Sequence, residues 1–229
     1  NTELLIDHAW GYEPVTISDI KAYKPESNSI GSGQVLHCGT DFDKTKIIVR
    51  EMTEMLVLDL VSKNLVTDQI VLTIVYDREN LLDSSRMSKY KGEFSFDQYG
   101  RKIPKHAHGT VNLDSYTSST SVIVRAVLDL FSRIVDENLL VRRINMSANH
   151  VISEKEAKQD RYEQLNLFDM ISEKEDAVDQ EQLKKEKDIQ KAILDIKKKF
   201  GKNAILKGMS LQEGATAIDR NNQIGGHKA

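Results

Sequence analysis

The chain has 229 residues, 39% hydrophobic and 29% charged, enough for one good core with accessory segments. Its 32 Lys and Arg against 35 Asp and Glu give a net charge of -3, so any nucleic-acid role must come from local placement of charge. A single cysteine, Cys38, excludes an internal disulfide framework, and no apolar run approaches the ~20 residues of a membrane span. The expectation is a cytoplasmic protein with no membrane segment.

Residues 1–24 hold the only Trp, Trp10, with Leu4, Leu5 and Ile6 in a short apolar patch followed by Ile17 and Ile20. That is too little to fold alone. The chain starts without a methionine on what reads as the end of a helical region, and it is expected to be a fragment. Tyr23 to Ser29 is a tether by composition, because Pro25 blocks helix continuation and the polar run buries nothing. A domain boundary is placed there, with a central domain over 25–152 and a tail over 153–229.

Within the central domain the periodicity changes several times. Ser29 to Leu36 reads as a strand. Thr40-Asp41 offers an N-cap, and Ile48, Met52, Met55 and Leu56 then recur at helical spacing up to about Asn64. Gln69 to Tyr76 sets Ile70, Leu72, Ile74 and Tyr76 on one side and Val71, Thr73 and Val75 on the other, a second strand. Asp77 to Lys105 is a polar loop or hairpin arm, basic near its end at Arg101, Lys102 and Lys105. Gly109 to Leu113 alternates as a third strand. Ser118 or Ser119 can cap a second helix with Ile123, Val127, Leu130, Phe131 and Ile134 on one face, and Leu140 to Ile152 reads as the last strand.

This order predicts an α+β fold of the ferredoxin-like split β-α-β type, β-α-β-β-α-β, with both helices on one face of an antiparallel sheet. The other face is then uncovered, and is either solvated or a binding surface. The tail is highly charged. Its segment 172–199 reads as a solvated helix laced with pairs such as Glu181/Lys185, stopping near Gly201, and the rest reads as flexible.

No clean catalytic constellation emerges. His106 and His108 could place two imidazoles on one strand face, but with no third ligand nearby they read as polar or phosphate contacts rather than metal ligands. His37 and Cys38 are adjacent and point to opposite faces of an extended strand, so they do not form a base and nucleophile, and Cys38 reads as a core or boundary residue. The more informative positions are polar ones on or beside the strands. They are Ser29, Gly31, Ser32 and Gln34 on the first, Lys105, His106, His108 and Thr110 at the third, and Arg142, Arg143, Asn145 and Ser147 on the last. Small hydroxyls, amides and basic groups on an open sheet suit a phosphate backbone; the alternative is that they are merely solvated. In the tail, Gln164-Leu165-Asn166-Leu167-Phe168 sets two leucines and a phenylalanine in a charged segment with no core to join. Leu165 could enter one pocket and Leu167-Phe168 another, with the Gln164 amide at the rim; the alternative is a helical turn folded back on the domain.

These parts in this order resemble the C-terminal third of a Y-family DNA polymerase, specifically the UmuC-like (ImpB/MucB/SamB) error-prone enzymes. His8-Ala9-Trp10-Gly11 is similar to the end of that family's thumb, and Lys24 to Leu36 to the linker and first strand of its little-finger domain. Tyr99 to Thr110 adds further similarity. Gln164 to Phe168 resembles the bacterial clamp-binding pentapeptide. The resemblance implies a domain that grips primer-template DNA, a tail that docks on a DNA sliding clamp through Gln164, Leu165, Leu167 and Phe168, and catalytic palm, fingers and thumb portions as partners in translesion synthesis and the SOS response. It also implies two Mg²⁺ ions held by palm carboxylates, and these motifs find no counterpart here. Ser95-Phe96-Asp97-Gln98 is only superficially like the palm's Ser-x-Asp-Glu, so no cofactor is expected in this chain and no polymerisation by it alone. The reading from another class is an RNA-binding or regulatory module of the same topology, disfavoured because the strands offer Tyr76 and little else for stacking bases; a third is a structural adaptor built on the charged helix.

Overall fold

The computed structural model describes residues 2–23, 28–97, 99–157, 173–224 and 227–228. Two short helices, α1 (Thr2–Ala9) and α2 (Ile17–Ala22), come first and bury no residue, although Thr16 and Asp19 close a reciprocal capping box on α2.

The central domain begins with β1 (Ile30–Thr40). Asp41 then caps α3 (Phe42–Ser62), its carboxylate accepting the Lys44 N–H at 2.9 Å. β2 (Leu65–Tyr76) follows. The polar arm after it is not plain loop, since it holds a 3-10 turn at Arg78–Leu82, α4 (Ser84–Lys89), and a small hairpin of β3 (Phe94–Phe96) and β4 (Lys102–Pro104). β5 (Ala107–Thr117), α5 (Thr120–Ile134) capped by Ser119, β6 (Val141–Asn149) and a two-residue β7 (Ile152–Ser153) complete the domain.

The sheet order is β1-β6-β2-β5, all antiparallel, with β7 pairing the start of β2. β6 therefore sits between β1 and β2, and β2 between β5 and β6. Each helical crossover spans an inserted strand, which is the split β-α-β arrangement expected from the sequence.

One face of the sheet carries the core. Leu36, Ile70, Leu72, Ile74, Ile144, Met146 and Ala148 meet Ile48, Met52, Leu56 and Leu60 of α3 and Ile123, Val127, Leu130 and Phe131 of α5. Burying each large side chain stabilises the fold by about 1.5–3 kcal/mol. Phe42, at the start of α3, stacks at a tilt on Phe131 with centroids 4.9 Å apart and locks the two helices together. α5 crosses β5 closely at Gly109, where a Cβ would stand 2.9 Å from Leu130 Cδ1 and 3.2 Å from Ile134 Cγ2.

The charged helix, α6 (Glu173–Phe200), is not freely solvated as its composition suggests. Gln190 is buried and donates to the Ser118 carbonyl and the Thr120 hydroxyl, both at 2.9 Å, while Leu194 packs against the core. Glu186 accepts from the Ser119 hydroxyl at 2.6 Å and the Ser121 N–H at 2.9 Å, so a tail carboxylate caps α5 from outside. Gly201, at φ +99°, ends the helix in the left-handed region. Beyond it the described residues fold again onto the domain. A 3-10 turn at Gly208–Leu211 and α7 (Ala217–Asn221) bury Ser210 and Ala217, and β8 (Gln223–Ile224) pairs with β9 (His227–Lys228).

Candidate nucleic-acid interface

The face of the sheet opposite the helices is built by alternation. On β6 the residues that pair inward are Ile144, Met146 and Ala148, so Arg143, Asn145, Ser147 and Asn149 point outward. On β2 the outward set is Gln69, Val71, Thr73 and Val75, and on β5 it is His108, Thr110, Asn112 and Asp114. On β1 it is Gly31, Gly33 and Val35, because Leu36 fixes the even positions on the core side. Registers align these into rows across the sheet. Gly31, Ser147, Val71 and Thr110 form one row, and Gly33, Asn145, Thr73 and His108 the next.

The face is polar, nearly neutral and pre-ordered. The Ser147 hydroxyl lies 2.8 Å from Asn149 Oδ1, Asn149 Nδ2 donates to Gln69 Oε1 at 3.1 Å, and Gln69 Nε2 donates to Asn112 Oδ1 at 2.9 Å. Thr73 Oγ1 and His108 Nδ1 are 2.9 Å apart. At the β1 side two glycines leave bare backbone, which allows close approach of a partner chain. At one end the face runs into a concavity of ≈ 530 Å³ where Arg101, Arg142 and Arg143 stand among the acids Asp77, Glu79 and Asp97. Arg101 is held by Asp97 at 2.7 Å, and Arg142 donates to the His37 carbonyl at 2.7 Å with Asp77 at 3.7 Å. Arg143 is exposed and has no acidic partner among the described residues.

The sequence-predicted residues divide accordingly. Gly31, His108, Thr110, Arg143, Asn145 and Ser147 share the open face, and Ser29 and His106 are exposed beside it. Ser32 and Gln34 do not belong there. They point to the opposite side, where Arg220 Nη2 donates to Ser32 Oγ at 2.6 Å and Gln34 Nε2 donates to Thr216 Oγ1 at 3.0 Å. Arg142 is also displaced, because the pairing shifts register on both sides of it and turns its guanidinium toward the strand ends. Lys105 is exposed but pairs with Glu93 at 2.6 Å, a contact that raises the lysine pKa and lowers that of the acid. Cys38 is exposed rather than in the core or at its boundary.

Sequence reasoning missed Asn149, Gln69, Thr73 and Asn112, although the alternation on the second strand already set Thr73 apart from the core positions. The pentapeptide Gln164 to Phe168 lies outside the described residues. The Asp97 carboxylate accepts the Tyr99 and Arg101 N–H groups and the Arg101 side chain, which lowers its pKa, and among the described residues no three His, Cys, Asp or Glu side chains converge. No described helix is long and apolar enough to cross a membrane.

The fold and this surface define an α+β domain of split β-α-β type whose second sheet face is polar, exposed and partly bare backbone. Residues 27–167 match the family model of the impB/mucB/samB family C-terminal domain, and the chain belongs to that family. The match bears out the resemblance read from the sequence. Among solved structures, an insertion ternary complex of Dbh DNA polymerase is similar at 13% identity and a TM-score of 0.35, over 59% of this chain and 33% of that one. A Y-family DNA polymerase chimera of Dbh and Dpo4 is similar at 15% identity and a TM-score of 0.36, over 66% and 35%. The chain thus spans about a third of the length of these polymerases. Comparison with curated proteins finds no match.

Proposed function

We propose that the open face holds primer-template DNA by its sugar-phosphate backbone, as the little finger of an error-prone translesion DNA polymerase acting in damage tolerance. The observation that carries this reading is the row structure of the face. Hydroxyls and amides stand in register beside a glycine-bared strand, with Arg143 as an exposed cation in no ion pair among the described residues. Such groups position a backbone without reading bases, so binding is indifferent to sequence and sensitive to salt. The global charge of -3 is no obstacle, because the outward rows of the face contain one acid, Asp114. In the same reading the Gln164 to Phe168 peptide docks on a DNA sliding clamp, and the tether raises the effective concentration of the domain at DNA.

The test is a titration of labelled primer-template duplex with the full chain at several salt concentrations. Affinity should fall steeply with salt, and Arg143→Ala should lower the slope of log K against log salt by about 0.9, one phosphate contact. Binding that ignores salt, or an unchanged slope, counts against the reading.

A further inference from the structure

Residues 202–224 lie beyond the stretch that the family model matches, yet they are built into the same domain. Glu51 of α3 is 4% exposed, and its Oε2 accepts the N–H groups of Thr216 and Ala217 at 2.9 and 3.0 Å. Thr216 then receives Gln34 at 3.0 Å and Arg220 reaches Ser32 at 2.6 Å. At the rim, Lys44 meets Glu213 at 2.6 Å and Lys207 meets Glu54 at 2.9 Å. Partial burial pushes the Arg220 pKa down, and the negative charge of Glu51 opposes that shift.

The two side chains gripped in this way alternate with Gly31 and Gly33. The same four residues are therefore bare on the open face and pinned on the other. β1 is an edge strand with one neighbour, β6, and glycine gives a strand neither side-chain packing nor backbone stiffness. Beyond its ladder with β6 and the packing of Leu36 on α3, what holds the side chains of Ser32 and Gln34 is the C-terminal segment.

We propose that residues 202–224 act as a splint for the glycine-bearing edge of the DNA face, with Glu51 and Arg220 as positioning residues that act on DNA through β1 without touching it. The inference rests on the reading of the open face as the DNA surface. A splint makes a distinctive prediction, because removing it lowers affinity without removing a phosphate contact.

The experiment uses the full chain with Arg220→Ala, Glu51→Leu and Glu51→Gln, and Arg143→Ala as the control on the face itself. Duplex affinity is measured across salt concentrations, and hydrogen exchange is followed at the β1 amides. Arg220→Ala and Glu51→Leu should each weaken binding about tenfold, from the loss of hydrogen bonds made by a charged group, with the salt slope unchanged. Exchange should quicken in β1 while β2 and β6 stay protected. Glu51→Gln keeps an acceptor oxygen for the two N–H groups and should recover most of the affinity. If Glu51→Leu does not fold, Arg220→Ala carries the test. Faster exchange in β1 with unaltered affinity overturns the proposal, as does a slope lowered by about 0.9 in Arg220→Ala, which would make that arginine a direct phosphate ligand. Failure of the unaltered chain to bind DNA overturns the open-face reading and the splint with it, and is told apart by the unaltered chain alone.

Discussion

A Cβ on Gly33 would stand 2.8 Å from Asn145 Oδ1, because the Asn145 amide occupies the space over β1 that a side chain would take. Gly33 and Asn145 are register partners, so this close fit lies at the β1 edge of the open face. Gly33→Val should therefore separate stability from binding. Valine favours a strand and restricts the unfolded chain, which offsets the displacement of a half-buried amide, so the melting temperature should move by only a few degrees. DNA affinity should fall several-fold, since the valine displaces the Asn145 amide and covers the Gly33 position on the face. Calorimetry and a binding titration on the same preparation check both halves.

The buried Tyr76 hydroxyl accepts the Asp136 N–H at 2.9 Å, joining β2 to the end of α5. Tyr76→Phe leaves that N–H without its acceptor and should cost about 1–3 kcal/mol, read as a lower denaturant midpoint at unchanged m-value. The hydroxyl also predicts an alkaline limit. Burial first of all pushes its pKa from 10.0 up to about 12. The folded state therefore keeps the proton longer than the unfolded state does. Its contribution is full below pH 10 and is lost as pH rises toward 12, and Tyr76→Phe should flatten the stability profile across that window.

Glu186 supplies α5 with a cap carboxylate from α6, so Glu186→Ala should weaken both helices at once. A loss of about 1 kcal/mol is expected, the usual size of a cap contribution. Limited proteolysis should show α6 cut faster, with the sheet core resistant. A helix that were merely solvated would show neither change.

For the tail, Leu167→Ala combined with Phe168→Ala should abolish retention of the chain on immobilised sliding clamp while leaving its DNA affinity and circular dichroism spectrum unaltered. Retention by the double variant at the level of the unaltered chain would remove clamp docking from the proposed function.

The elements of the central domain were legible because each carried local signals that agree with the fold. Asp41 and Ser119 cap the two helices that they precede in the sequence, and the alternation from Ile70 to Tyr76 marks a strand with one buried side. Ser32 and Gln34 were misplaced because period-2 alternation separates two faces without saying which is which, and glycines at 31 and 33 offer no side chain to decide. Leu36 shares their parity and was the available clue. Arg142 could not be read, since the register shift that turns it is set by pairing with two other strands. The docking of α6 was hidden because, apart from Leu194, it rests on Glu186, Lys187 and Gln190, polar residues whose partners are distant in sequence.

The chain of contacts from Ser147 through Asn149 and Gln69 to Asn112 runs in one direction, with every amide donating toward β5. Reversing any one amide would set two acceptors or two donors against each other, so the three can only turn over together. The outer edge of the sheet at Asn112 thus behaves as the end of a polarised wire. Whatever accepts a hydrogen bond from the Asn112 amide fixes the sense of the whole array, and a partner that arrives at β5 is registered two strands away at Ser147.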